Sequence, residues 1–284
     1  MAAQHPITSR STRLVAAVCL ALLLEPARPA VAQNTGELVD LPFLVHWAGG
    51  EGLDGGGYNV GGETLRFFRL PVSYDPGDEG RSWGLRLRFE TAFGLYDFGD
   101  FIEDLDLDRV QAVTLLPGIG VPIRLREKTF LVPYVDIGTA YVSDGGGWTF
   151  LARTGVALEL EHHVQEFRLM AEPKVELLWS RGSGSSLDDE LGSIGIKLGG
   201  RHPIPFAPRG HRIDLGAYGK AEYFFIEAEL LDGQQSVNSQ FEVGMSMGTV
   251  EESRIWRIPL PRLSVGYTFG DHVTGIRVRL GGRF

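Results

Sequence analysis

The last eleven residues of the chain, Thr274 to Phe284, read T-G-I-R-V-R-L-G-G-R-F. Ile276, Val278, Leu280 and Phe284 share one parity, and Arg277, Arg279 and Arg283 share the other. Successive side chains of a β-strand point to opposite faces, so a strand here has one apolar and one cationic face. A soluble protein can hold such a strand at a half-buried sheet edge. A strand that crosses a bilayer needs the same pattern for another reason: aliphatics toward lipid, charges toward a polar interior, an aromatic ring at the interface.

The same period of two recurs along the chain. Between Trp83 and Phe93, Leu85, Leu87, Phe89 and Phe93 fall on one face while Arg86, Arg88 and Glu90 fall on the other. A helix would scatter those charges around its circumference. Between Phe167 and Trp179 the charged parity carries Arg168, Glu172, Lys174 and Glu176; between Ile213 and Phe225 it carries Lys220 and Glu222. Phe241 to Met247 and Leu263 to Phe269 repeat the device. The pattern predicts about twelve strands, near 38–48, 62–74, 82–98, 109–126, 129–143, 148–162, 164–179, 190–202, 211–226, 238–250, 255–270 and 274–284. Pro42 interrupts the first, and ten strands is the fallback, because single-chain bacterial barrels have even strand numbers. The expected fold is all-β: a closed antiparallel transmembrane β-barrel with short loops. The connections expected at one end, Gly49–Gly62, Gly99–Asp108, Asp144–Gly147, Arg181–Glu190 and Asp271–Val273, are Gly-rich or acidic. Those at the other end, such as Glu127–Lys128 and His162–His163, read as tight turns. Tyr74, Trp83, Tyr96, Tyr141, Trp148, Trp179, Trp256, Tyr267 and Phe284 fall near strand ends, where an amphipathic ring gains from one apolar and one wet side.

The opposite end of the chain reads as a leader. Arg10 and Arg13 precede an apolar run, Leu14 to Leu24, and Ala30-Val31-Ala32 is an A-x-A cleavage site. The run is too short for a spanning helix, which needs about 20 residues. Residues 1–32 are expected to be a signal peptide and 33–284 the barrel. Cleavage would remove Cys19, the single cysteine, and with it any disulfide or thiol chemistry. It would also remove Arg10, Arg13, Arg28 and Glu25, taking the net charge from −9 to about −11. Such an acidic chain is not expected to bind nucleic acid.

No H-E-x-x-H, C-x-x-C or P-loop pattern occurs, so no metal, cofactor or catalytic residue is expected. His162 and His163 would point to opposite faces of a strand and cannot share one metal there. The alternatives are a barrel enzyme, a lipid or peptide hydrolase drawing on Ser246, Ser264, Asp136 and His272, and a secreted soluble β-sandwich. Parity sends Arg86, Arg88, Arg124, Arg126, Arg153, Arg168, Lys174, Lys197, Lys220, Arg277 and Arg279 into the lumen. Glu90, Asp136, Glu159, Glu172, Glu176, Asp214, Glu222 and Glu242 join them. In a narrow lumen these charges are expected to pair across strands, because an unpaired charge there is costly, and acids also cluster with bases on their own strands: Glu90 with Arg86 and Arg88, Glu172 and Glu176 with Lys174, Glu222 with Lys220. Such a lattice implies a small or mostly closed pore with a weak anion preference.

Leader, alternating strands, short loops and terminal Phe284 together resemble the translocator barrel of bacterial autotransporters, over about residues 38–284. The segments that carry the likeness are G-I-R-V-R-L-G-G-R-F, L-S-V-G-Y-T-F-G-D and P-Y-V-D-I-G-T-A-Y-V from Pro133 to Val142. Autotransporters carry a long passenger before the barrel. Here the leader runs almost directly into the first expected strand, so the resemblance implies a solitary autotransporter-like barrel without a passenger. It implies the outer membrane of a Gram-negative bacterium, with outer-membrane lipid and the barrel-assembly machinery as partners. Tyr267, Phe269, Leu280 and Phe284 are the expected assembly signal. The resemblance implies no substrate.

Overall fold

The computed structural model describes residues 53–60, 63–74, 82–95, 110–142, 147–182, 189–207, 212–229, 236–250, 254–255, 258–259, 262–271 and 273–280. No helix occurs among the described residues. The strands are β1 (Leu53–Val60), β2 (Glu63–Tyr74), β3 (Arg86–Leu95), β4 (Val110–Gly120) and β5 (Ile123–Arg126). They continue with β6 (Thr129–Val142), β7 (Gly147–Val164), β8 (Phe167–Gly182), β9 (Asp189–Pro203) and β10 (Ile213–Glu229). Last come β11 (Ser236–Thr249), β12 (Arg254–Ile255), β13 (Ile258–Pro259), β14 (Leu263–Gly270) and β15 (Val273–Leu280).

Thirteen of these form one antiparallel sheet in the order β4-β3-β2-β1-β15-β14-β11-β10-β9-β8-β7-β6-β5; β12 and β13 pair with each other. Pro122 has no N–H to donate to the ladder, and the chain resumes after it as β5. Both β4 and β5 pair with β6, the β4 partners running from Ala112↔Val142 to Gly120↔Tyr134. With β3 on its other side, β4 therefore has two neighbours. β1 likewise lies between β2 and β15, in register from Leu53↔Leu280 to Val60↔Val273.

Three expectations change. The segment Gly49–Gly62 reads as a connection, yet Leu53–Val60 is β1. Its centre, Gly55 to Gly57, has no side chains, so a period of two leaves no trace there. His162 and His163 are not a turn: they continue the ladder opposite Leu169 and Arg168. The turn is Gln165–Glu166, with Gln165 at a left-handed φ of 56°. Finally, the expected strand 255–270 is broken: β12 and β13 precede β14. The first expected strand, 38–48, the leader and Phe284 lie outside the described residues.

Burial is inverted relative to a water-soluble sheet. Leu87 and Phe89 are each 43% exposed, whereas Glu90, the next residue along, is 4% exposed and Arg153 of β7 is 1%. The same contrast holds on β9, where Ile194, Ile196 and Leu198 are exposed and Ser193 is buried, and on β11, where Phe241, Val243, Met245 and Met247 are exposed while Gln240, Glu242 and Ser246 are buried. Val278 is the exception on β15, buried although its neighbour Ile276 is exposed. Tyr74, Trp83, Trp148, Trp179 and Tyr267 are exposed on this apolar surface, and Tyr141 packs tilted against Trp148 at 5.2 Å. The core of the molecule is thus its polar face.

Candidate functional site

Arg153 of β7 is the centre of the polar face. Its guanidinium lies 2.7 Å from Asp136, 2.7 Å from Glu90 and 4.0 Å from Glu176. Glu90 also holds Arg69 of β2 at 3.1 Å, Asp136 holds Arg88 at 3.4 Å, and Glu176 holds Lys174 at 3.3 Å. The Tyr134 hydroxyl donates to Glu176, and the Arg88 guanidinium lies 4.1 Å from the centre of the Tyr134 ring. Arg86 reaches Glu159 at 2.6 Å.

These contacts require curvature. Between Glu90 on β3 and Arg153 on β7 lie β4 and β6. Strands are about 4.8 Å apart, so side chains standing up from a flat sheet would be separated by about 14 Å. An ion pair at 2.7 Å means that the sheet curls toward its polar face. Gly118 of β4 makes room beneath the pair, since a Cβ there would collide with the Asp136 carboxylate.

A second group of charges spans β9 to β15. Glu242 of β11 accepts hydrogen bonds from Tyr218 at 2.8 Å and Arg279 at 2.7 Å, with Arg277 at 3.5 Å. Glu222 pairs with Lys220 at 2.7 Å and accepts from the Gln240 amide at 2.6 Å. A Cβ at Gly244 would run into the Tyr218 ring, so the glycine admits the aromatic. At the β8–β9 end, Arg201 and Arg262 both approach Asp214, while Arg168 pairs with Glu161.

Of the residues singled out from the sequence, Glu90, Asp136, Glu176, Glu222, Arg277 and Arg279 are buried, and Arg86, Arg88, Arg168, Glu172, Lys174 and Lys220 are half-buried. Lys174 with Glu176 and Lys220 with Glu222 are pairs within one strand. Glu90 pairs across strands, with Arg69 and Arg153, rather than with Arg86 and Arg88 on its own strand, which turn to Glu159 and Asp136. Arg124 and Arg126 are exposed beside the Glu127–Lys128 turn. Tyr267 and Phe269 are exposed, and Phe269 stacks on Phe241 at 5.7 Å; Leu280 is half-buried. Ser246 and Ser264 are cross-strand neighbours, and His272 lies outside the described residues.

Sequence reasoning passed over Arg69, Arg201, Arg262, Tyr134 and Tyr218. The tyrosines carried a signal, since each sits on the charged parity of its strand. Arg262 directly precedes β14, on the parity of Ser264.

No protein-family model and no curated protein matches this chain. Among solved structures, it is similar to the beta domain of the Bordetella autotransporter BrkA, at 13% identity, 82% of this chain, 97% of that one and a TM-score of 0.48. It is also similar to the translocator domain of autotransporter NalP from Neisseria meningitidis, at 13% identity, 95% of each chain and a TM-score of 0.47. LpxR from Salmonella typhimurium is a further match, at 10% identity, 81% of this chain, 99% of that one and a TM-score of 0.41. Autotransporter translocator barrels are among the structures this chain resembles.

Proposed function

We propose that this chain is an integral outer-membrane β-barrel of the autotransporter-translocator type, whose polar face lines a narrow or mostly closed conduit. The observation that carries the reading is the inverted burial: a broad apolar surface faces outward and the ionised side chains face one another. That arrangement is costly in water and favourable in lipid. Closure is supported by the pairing of β4 with both β3 and β6; counting β4 and β5 as one broken strand gives a ring of twelve. An open edge in hydrocarbon would leave backbone N–H and C=O groups unpaired, at several kcal/mol each.

The conduit has a weak preference for anions. Buried acids and arginines nearly balance, but the half-buried members Arg86, Arg88, Arg168, Lys174, Lys197 and Lys220 are mainly cations. Tyr267, Phe269 and Leu280, with Phe284, form in this reading the signal taken up by the barrel-assembly machinery.

The test is twofold. The protein should fractionate with the outer membrane and migrate as a heat-modifiable band. In planar bilayers it should give small, weakly anion-selective conductance, and the triple substitution Arg86→Ala, Arg88→Ala, Arg168→Ala should enlarge the conductance and shift it toward cations. A large, steady, cation-selective wild-type conductance, or a triple variant identical to wild type, would sink the conduit.

A further inference from the structure

Arg168 of β8 and Arg201 of β9 stand directly opposite each other in the β8–β9 ladder. Like charges in that position repel. Arg262 adds a third guanidinium, since it and Arg201 both approach the same carboxylate, Asp214. The nearby acids do not balance this group. Asp214 is engaged by Arg262 in a two-point contact, with Nη1 at 3.2 Å and Nη2 closer. Glu161 is engaged by Arg168 and His163, with Lys128 at 3.6 Å.

Arg201 is left with little. It is 7% exposed, its Nη1 is 3.9 Å from Asp214, beyond hydrogen-bonding range, and its Nη2 meets only the weak acceptor Sδ of Met170 at 3.6 Å. Among the described residues, Arg201 Nε, Arg262 Nε and Arg168 Nε donate no hydrogen bond. Buried donors without acceptors are costly, and a buried cation without a matched anion more so.

We propose that Arg168, Arg201 and Arg262 form a binding site for an oxyanion, a phosphate or carboxylate group carried by a solute in the lumen. Guanidinium groups present planar paired donors that match the oxygens of such a group. The ligand's charge also relieves the repulsion between Arg168 and Arg201. The site rests on the reading of the polar face as water-accessible. Its test needs neither conduction nor a membrane fraction, so the two can fail separately.

The experiment is a titration of the purified, detergent-folded protein with inorganic phosphate, and in a parallel arm with acetate, chloride being exchanged at constant ionic strength. The readout is the thermal unfolding midpoint. The midpoint should rise and saturate with at least one of the two anions, and the responding arm identifies the headgroup. Arg201→Gln should weaken the apparent affinity by roughly tenfold or more, and Arg168→Gln by a few-fold, since Arg168 is shared with Glu161. Arg212→Gln, at an exposed arginine, should leave the affinity unchanged. The site is overturned if neither anion gives a saturable rise, or if Arg201→Gln binds as wild type does. Should Arg201→Gln fail to fold, an unaltered affinity in Arg168→Gln overturns it.

Discussion

Arg153 and Arg201 lie at similar depth on the polar face, 1% and 7% exposed, in opposite surroundings. Arg153 is shared by Glu90, Asp136 and Glu176. Arg201 faces Arg168 across the ladder and reaches one carboxylate at 3.9 Å. Burial alone therefore does not say what an arginine is for. The first is a cross-link: it ties β3, β6, β7 and β8 together, and its loss leaves three buried acids with one remaining cation each, Arg69, Arg88 and Lys174. The second is a donor waiting for an acceptor.

The largest expected effect separates them directly. Arg153→Met should destabilise the protein by about 3–5 kcal/mol, because it leaves buried carboxylates without their common cation. Arg201→Met should change stability by about 1 kcal/mol or less, since it removes a repulsion along with a weak contact. Urea unfolding in detergent micelles measures both; equal costs would erase the distinction between the two regions.

Next in size is a charge on the opposite surface. Val175 is 44% exposed on β8, between Lys174 and Glu176. Val175→Arg should cost about 2–4 kcal/mol in a lipid bilayer, where an arginine near the midplane faces hydrocarbon. A cost near zero in bilayers would mean that this face does not meet lipid.

Smaller still is the loss of one hydroxyl. Tyr134→Phe removes the donor to Glu176 and should cost about 1.5–3 kcal/mol, the range for hydrogen bonds to charged groups. Tyr218→Phe should cost less, because Glu242 keeps Arg279 at 2.7 Å. The reverse order in unfolding experiments would show that the Arg153 region is the less constrained one. The smallest effect belongs to the surface: Arg212 and Glu166 form a pair at 3.7 Å with both side chains more than half exposed. Arg212→Ala should shift stability by about 0–1 kcal/mol, and less at high salt.

How much of this was legible in the sequence depends on the distance over which a contact is made. Alternation is local, so the faces of segments such as Leu85 to Phe93 could be read directly. Contacts two residues apart on one face, Lys174 with Glu176 and Lys220 with Glu222, could be read the same way. Glu90 could not: its partners Arg69 and Arg153 come from two other strands and meet it only because the sheet curls. The opposition of Arg168 and Arg201 depends on the β8–β9 register, which alternation along a single strand does not fix. β1 was hidden because glycine has no side chain with which to alternate.

The central claim is that the exposed apolar face meets lipid and the charged face does not. Single cysteines placed one at a time from Ser193 to Leu198 on β9, in a background with Cys19 replaced, can carry spin labels in reconstituted vesicles. Collision with oxygen, which concentrates in lipid, should be high at 194, 196 and 198 and low at 193, 195 and 197. Uniform accessibility along the strand, or the opposite parity, would contradict the account.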